Sequence, residues 1–154
     1  MKKLQFLCTM LLIILLSTGA LCSPALAIDA PDCVETITFF ADGSYLVTSI
    51  TYDSVNTGRA VKQKSGTKHH DYYNASNQIV WTFRVHGTFS YDGHSAEATF
   101  ADYSYDIYDS AWSFNGASAS YSGATATAEG SFTYRFLPQP TTVSLTCSPK
   151  GVLS

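Results

Sequence analysis

Residues 79–100, IVWTFRVHGTFSYDGHSAEATF, contain the clearest strand pattern of the chain. In its first half the apolar residues Trp81, Phe83 and Val85 alternate with polar residues. A period of two places the apolar set on one face of a β-strand and the polar set on the other face. The stretch therefore predicts a strand that is buried on one side only.

An Asp-Gly pair at residues 92–93 interrupts this stretch and predicts a tight hairpin turn, because the favoured hairpin turns need positive φ at their central residues. A two-residue turn would place Phe89 opposite Ala96, and the apolar positions of both strands would then share one face. Beyond Phe100 the apolar positions shift by one residue, which predicts a β-bulge near residues 101–102.

Two further hairpins are predicted around the first one. Residues 34–52 contain a turn at Asp42-Gly43, and Ser122-Gly123 would place Tyr121 opposite Ala124. An irregularity is expected at residues 115–116, where the apolar parity changes again. The alanines on these faces predict close packing against large side chains of an opposing sheet. They are Ala96, Ala98, Ala117, Ala119, Ala124, Ala126 and Ala128.

The strand predicted for residues 61–73 is polar on both faces and contains three lysines, which is typical of an exposed sheet edge. Near the C-terminus, the prolines of residues 137–140 predict the end of a strand, since proline cannot donate to a ladder. A last strand is expected over residues 141–147, and the tail after Pro149 is expected to be loose.

These segments predict an all-β protein: an antiparallel meander of about eight strands. A meander of this size must hide one apolar face, so it forms a β-sandwich or a flattened barrel. The sequence leaves both closures open, together with the oligomeric state.

The N-terminal segment predicts secretion. Lys2 and Lys3 precede an apolar run from Leu4 to Leu16, and Ala25-Leu26-Ala27 provides a cleavage site. The predicted organisation is a cleaved signal peptide over residues 1–27 and a single all-β domain over residues 28–154, with no membrane span after cleavage. The domain would be extracellular.

Two cysteines, Cys33 and Cys147, remain after that cleavage. In an oxidising compartment they predict one disulfide, which would bring the first and last strands side by side. The cleaved chain would keep seven basic and twelve acidic residues, a net charge of about −5. A negative net charge argues against nucleic acid as a partner.

Tyrosines near the turns and parity breaks are the candidate binding residues. Exposed aromatic rings beside hydrogen-bonding side chains are typical of surfaces that bind sugars or proteins. The six candidates are Tyr72, Tyr73, Tyr103, Tyr105, Tyr108 and Trp112.

The sequence suggests no metal site, no cofactor and no catalytic residues. His69 and His70 are adjacent, so on a strand they point to opposite faces. Known nucleophile, zinc and nucleotide motifs are missing from the sequence. Glu97 and Glu129, the mid-chain glutamates, both fall at outward positions of their hairpins.

A set of spaced motifs resembles small secreted β-proteins of Gram-positive, often gut-dwelling, bacteria that carry a domain of unknown function. The motifs are Tyr72-Tyr73-Asn74, Trp81-x-x-x-Val85-x-Gly87-Thr88-Phe89-x-Tyr91-x-Gly93, Ala124-x-Ala126-x-Ala128-x-Gly130-x-Phe132 and Val143-x-Leu145-x-Cys147-x-x-x-Gly151-x-Leu153-Ser154. The resemblance covers about residues 61–154. It implies a β-fold, secretion and a bacterial source, but it implies no activity and no catalytic position.

The function expected from these observations is that of a secreted, non-enzymatic domain that binds a glycan or another cell-surface component, including a protein. One alternative is a secreted antagonistic factor, such as a bacteriocin-like protein or toxin. A second alternative is a hydrolase whose site is assembled from scattered residues.

Overall fold

The computed structural model describes residues 33–53 and 62–154. These ranges form eight antiparallel strands and contain no helix, so the all-β prediction is confirmed. The strands are β1 Cys33–Phe39, β2 Tyr45–Tyr52, β3 Lys62–Tyr73, β4 Ile79–Tyr91, β5 Ala96–Ile107, β6 Trp112–Ser122, β7 Thr125–Tyr134 and β8 Leu137–Thr146. No helix in the described ranges has the length and hydrophobicity that crossing a membrane requires. The signal peptide predicted for residues 1–27 lies outside these ranges.

Strands that follow one another in sequence are hydrogen-bonded neighbours, except β5 and β6, which belong to different sheets and pack against each other at the sheet edges. Strands β1 to β5 form a large sheet in that order, and β6 to β8 form a small sheet. The two sheets pack face to face as a sandwich, with β7 against β4 and β5, and β8 against β3 and β4. The face of each sheet that meets the other sheet is called its inner face here.

The core lies between the two inner faces. Phe83, Phe89 and Phe132 are fully buried there, and the Trp81 ring stacks on Phe132 with 4.3 Å between the ring centroids. Small residues make room for these rings: a Cβ added to Gly130 would lie 2.8 Å from the ring of Phe83. Three of the alanines predicted for packing are buried in this core: Ala98, Ala126 and Ala128.

Both predicted hairpin registers are wrong by two residues beside the turn, although the predicted faces are right except at Phe100. Phe89 lies opposite Ala98 rather than Ala96, and Tyr121 lies opposite Ala126 rather than Ala124. The first loop is longer than a two-residue turn because Asp92 accepts hydrogen bonds from two backbone N–H groups that follow it. A slip of two residues preserves the face of every side chain, so alternation alone cannot detect it.

One predicted bulge is displaced and the other is confirmed. The register of β4 with β5 shifts opposite Thr88 and Phe89, earlier than residues 101–102. Phe100 consequently points away from the core and is half exposed. The irregularity expected at residues 115–116 is present, between Phe114 and Gly116.

Strand β3 is not an edge strand, and this prediction is wrong. It is hydrogen-bonded to β2 on one side and to β4 on the other. Its inner face is polar because it contacts the small sheet and the tail through hydrogen bonds. Lys64 Nζ donates to the Gly151 carbonyl at 2.9 Å, and His70 Nδ1 lies 3.2 Å from Thr141 Oγ1.

The C-terminal predictions are also corrected. The prolines do not end the strand: Pro138 and Pro140 lie within β8, which is an edge strand and tolerates residues that lack an N–H group. The tail is not loose, because Ser154 and Thr146 exchange two backbone hydrogen bonds. These bonds hold Leu153 in the core, where it is 3% exposed.

The first and last strands are not hydrogen-bonded neighbours, since β1 pairs with β2 and β8 pairs with β7. Cys147 is buried and its thiol forms no disulfide. Cys33 lies opposite Ile50 in the register of β1, and its side chain is outside the described part of the structure.

Candidate functional site

The candidate site is a depression of about 480 Å³ on the outer face of the large sheet. Strands β2, β3 and β4 supply eight of its nine lining residues, and Tyr108 follows β5. Strands β3, β4 and β5 run side by side and bring polar residues into rows. Thr82 lies opposite Asp71 and Asp106, and Arg84 lies opposite His69 and Ser104. The depression is lined by Thr51, Thr67, His69, Asp71, Ile79, Thr82, Arg84, His86 and Tyr108.

Asp71 is the centre of the polar network in this depression. Its carboxylate accepts a hydrogen bond from Thr82 Oγ1 at 2.7 Å and lies 3.4 Å from His69 Nε2. Burial opposes ionisation of Asp71, but the hydrogen bonds from His69 and Thr82 and the charges of His69 and Arg84 outweigh it and lower the pKa of the carboxyl group. Asp71 is therefore ionised at neutral pH.

Three further side-chain contacts link β3, β4 and β5. Arg84 Nη1 donates to Asp106 Oδ2 at 2.6 Å. The ring of His86 is held on both sides, with Nδ1 2.9 Å from Thr67 Oγ1 and Nε2 2.8 Å from Ser104 Oγ. These contacts orient the side chains before any ligand arrives, which lowers the entropy cost of binding.

Aromatic side chains border one end of the depression. Tyr108 lines it and is 54% exposed. Tyr73 lies close by, where burial and the neighbouring Asp71, Tyr45 and Tyr108 raise its pKa. Tyr73 stacks on Tyr45 with 4.8 Å between centroids and nearly parallel rings. Each ring of this pair covers a face of the other, so Tyr108 is the bordering ring that offers most surface to a ligand.

The six predicted binding residues do not form one cluster. Tyr108 lines the depression and Tyr73 lies close to it, whereas Tyr72 is buried and stacks on Trp81 at 5.2 Å. The other three lie with Phe114 along the aromatic seam, where β5 and β6 meet at the edges of the two sheets. The members of the aromatic seam are Tyr103, Tyr105, Trp112 and Phe114.

Most ring faces in the aromatic seam pack against other aromatic rings. Tyr105 is 42% exposed, yet it stacks on Phe114 with 3.8 Å between the centroids. Trp112 stacks on Tyr134 at 5.2 Å. The aromatic seam therefore contributes to packing and offers few free ring faces.

Sequence reasoning missed the polar residues of the depression. Thr82, Arg84 and His86 alternate on the polar face of β4, and this alternation is visible in the sequence. The missing step was to pair β3 with β4 across the turn at residues 74–77. That pairing places Asp71 opposite Thr82 and His69 opposite Arg84.

The histidines of β3 point to opposite faces, as predicted. His69 lines the depression, while His70 lies between the sheets. Burial, together with the charges of Lys68 and His69, lowers the pKa of His70 to about 4. In the described ranges, no group of three or more His, Cys, Asp or Glu side chains could hold a metal ion.

The two mid-chain glutamates cannot act on one substrate as a pair. Glu97 lies on β5 opposite Ser90, on the outer face of the large sheet, and is exposed. Glu129 lies on β7 opposite Ser118 and Thr142, on the outer face of the small sheet, and is also exposed. A glycosidase needs its two carboxyl groups on either side of one bond.

Comparison of the chain with protein-family models, curated proteins and solved structures finds no match.

Proposed function

We propose that this protein is a secreted, non-enzymatic binding domain, and that the depression on the outer face of the large sheet binds a glycan or another cell-surface component. The observation that carries the proposal is the combination of an open depression, preorganised polar side chains and an exposed tyrosine on a sheet face that the small sheet leaves uncovered. The signal sequence over residues 1–27 supports export.

The chemistry of the depression suits a polyhydroxylated ligand. The carboxylate of Asp71 accepts hydrogen bonds, Arg84 donates them, and the hydroxyl groups of the lining threonines do both. A sugar needs donors and acceptors at short spacing, together with an apolar surface for its ring. Tyr108 supplies that surface at the border.

Retention on cells and isolated cell walls tests the proposal. Purified protein is incubated with intact bacteria and with cell walls over a series of salt concentrations. Retention that resists salt indicates hydrogen bonding and ring stacking, whereas retention lost with salt indicates attraction between charges. A protein that stays in solution with every surface would contradict the proposal.

A matched pair of tyrosine variants locates the binding site. Tyr108 and Tyr121 are both 54% exposed, but only Tyr108 lines the depression. We expect Tyr108→Ala to weaken retention about tenfold, as the loss of an aromatic contact typically does. Tyr121→Ala should leave retention unchanged. If Tyr105→Ala in the aromatic seam weakened retention more than Tyr108→Ala, the ligand would bind at the aromatic seam and not in the depression.

A disulfide between Cys33 and Cys147 is also proposed, because both cysteines would follow the signal peptide into an oxidising compartment. In the structure the Cys147 thiol is free and buried. The intact mass of secreted protein under non-reducing conditions should be lower by two hydrogens than the mass after reduction. Complete labelling of both thiols without prior reduction would rule the disulfide out.

A further inference from the structure

The turn between β7 and β8 has a backbone conformation that its residues disfavour. Tyr134 pairs with Leu137, so only Arg135 and Phe136 form the turn. Their φ angles are 46° and 71°, both in the left-handed region. Hairpin turns of this kind prefer asparagine and glycine, and a bulky residue with positive φ is an outlier. Backbone strain of this sort is concentrated at functional sites, so it makes the turn a candidate for a function.

The side chains at this turn are displayed to solvent. Phe136 is 97% exposed and Leu137 is 67% exposed. No other large apolar side chain in the described ranges is as exposed as Phe136. We call Arg135, Phe136 and Leu137 the hairpin tip.

Contacts with aromatic rings support the hairpin tip. The guanidinium of Arg135 lies over the ring of Tyr134, 5.1 Å from its centroid. Tyr134 in turn stacks on Trp112 with 5.2 Å between centroids. Phe136 and Leu137 therefore project above a layer of one cation and two amphipathic rings.

The area of the hairpin tip indicates what kind of partner it fits. A phenylalanine side chain offers roughly 150–250 Å² of surface, so the two apolar side chains together offer well below the roughly 800 Å² that each partner buries in a specific protein interface. A bilayer needs no such area, because it accepts protruding apolar side chains one at a time. Tyrosine, tryptophan and arginine are the residues that favour the headgroup region just above.

We propose that the hairpin tip inserts Phe136 and Leu137 into the interface of a lipid bilayer, with Arg135 at the level of the phosphates. The chain as a whole carries a net charge of −3, which opposes attraction to anionic lipid. Insertion of the apolar pair, rather than general electrostatics, is therefore the source of the affinity. This inference does not depend on glycan binding at the depression.

Co-sedimentation with vesicles tests the inference. All described strands lie after residue 32, so residues 28–154 are used, which removes the apolar N-terminal run. The vesicles contain phosphatidylcholine alone or with phosphatidylglycerol. We expect the protein to sediment with phosphatidylcholine vesicles. Phe136→Gly should weaken partitioning by about tenfold to a hundredfold, the usual effect of losing one buried phenylalanine.

Two readouts separate insertion from a folding defect. Phe136→Gly relieves the positive φ and should raise the thermal midpoint while it lowers vesicle binding. Phe39→Ser is the matched control, because Phe39 is 74% exposed on β1, and it should leave vesicle binding unchanged. Three results would overturn the inference: no sedimentation of the unmodified protein with either vesicle, unchanged partitioning of Phe136→Gly, or an equal loss for Phe39→Ser.

Discussion

Strand β3 contains two adjacent histidines and two adjacent tyrosines, so each of its faces carries one histidine and one tyrosine. On the outer face, His69 lines the depression and Tyr73 lies close to it. On the inner face, Tyr72 stacks on Trp81 and His70 contacts Thr141 of the small sheet. The same residue types therefore serve packing on one face and remain available for binding on the other, because only the inner face is covered by a second sheet.

The tyrosine pair should show a large difference in stability loss between the two faces. Tyr72→Ala removes a buried ring that is 8% exposed, and we expect it to lower the free energy of unfolding by about 3 kcal/mol. Tyr73→Ala removes a half-buried ring and should cost about 1 kcal/mol. Urea unfolding of both variants measures the difference. Equal losses would mean that both faces are packed alike.

The two histidines should differ in how they make stability depend on pH, because His70 lies between the sheets and His69 lies on the outer face. The pKa of His70 is lowered from 6.5 to about 4 by burial and by the charges of Lys68 and His69. The unfolded chain therefore binds a proton more readily than the folded chain, so protons favour unfolding. Stability should be complete above pH 6.5, fall by up to about 3 kcal/mol between pH 6.5 and 4, and level off below that range.

Variants at both histidines check this assignment. His70→Gln should remove most of the fall in the free energy of unfolding between pH 6.5 and 4, as measured by urea unfolding at several pH values. His94→Gln alters an exposed turn residue and should leave the fall unchanged. If His69→Gln removed the fall instead, the proton would be taken up on the outer face.

Substitution of Asp71 and of Asp106 tests whether hydrogen bonds hold the outer face in place. We expect the difference in stability between these two variants to be the smallest of the three comparisons. Asp71→Ala leaves the Thr82 hydroxyl without its partner at a position that is 2% exposed. We expect a loss of roughly 2 kcal/mol in the free energy of unfolding. Asp106→Ala removes an exposed partner of Arg84 and should cost under about 1 kcal/mol. The reverse order would indicate that the Arg84 pair organises the depression.

Alternation and turn residues were sufficient to predict the strands and their faces. The pattern around Trp81, Phe83 and Val85 placed these side chains in the core, where all three are buried. The irregularity at residues 115–116 was also visible, because two runs of opposite parity meet there. These features are local, and local chemistry determines them.

The candidate site was harder to predict because it depends on pairing. The position of Tyr108 near a parity break makes it a candidate, and it lines the depression. Tyr72 and Tyr73 are equal candidates by sequence, but only Tyr73 lies on the outer face. Asp71 and Thr82 lie eleven residues apart and meet only because β3 and β4 form a hairpin.

Local sequence patterns are enough to establish that the chain is all-β, where most of its strands lie and which side chains of the central strands point to the core. The register of the hairpins, the central position of β3 and the folding back of the C-terminal tail emerge only when distant segments pack together. Alternation cannot fix the register, because a slip of two residues leaves every face unchanged. Which polar side chains meet, and which strand receives a second sheet on its face, depends on loop lengths and on packing between segments far apart in sequence.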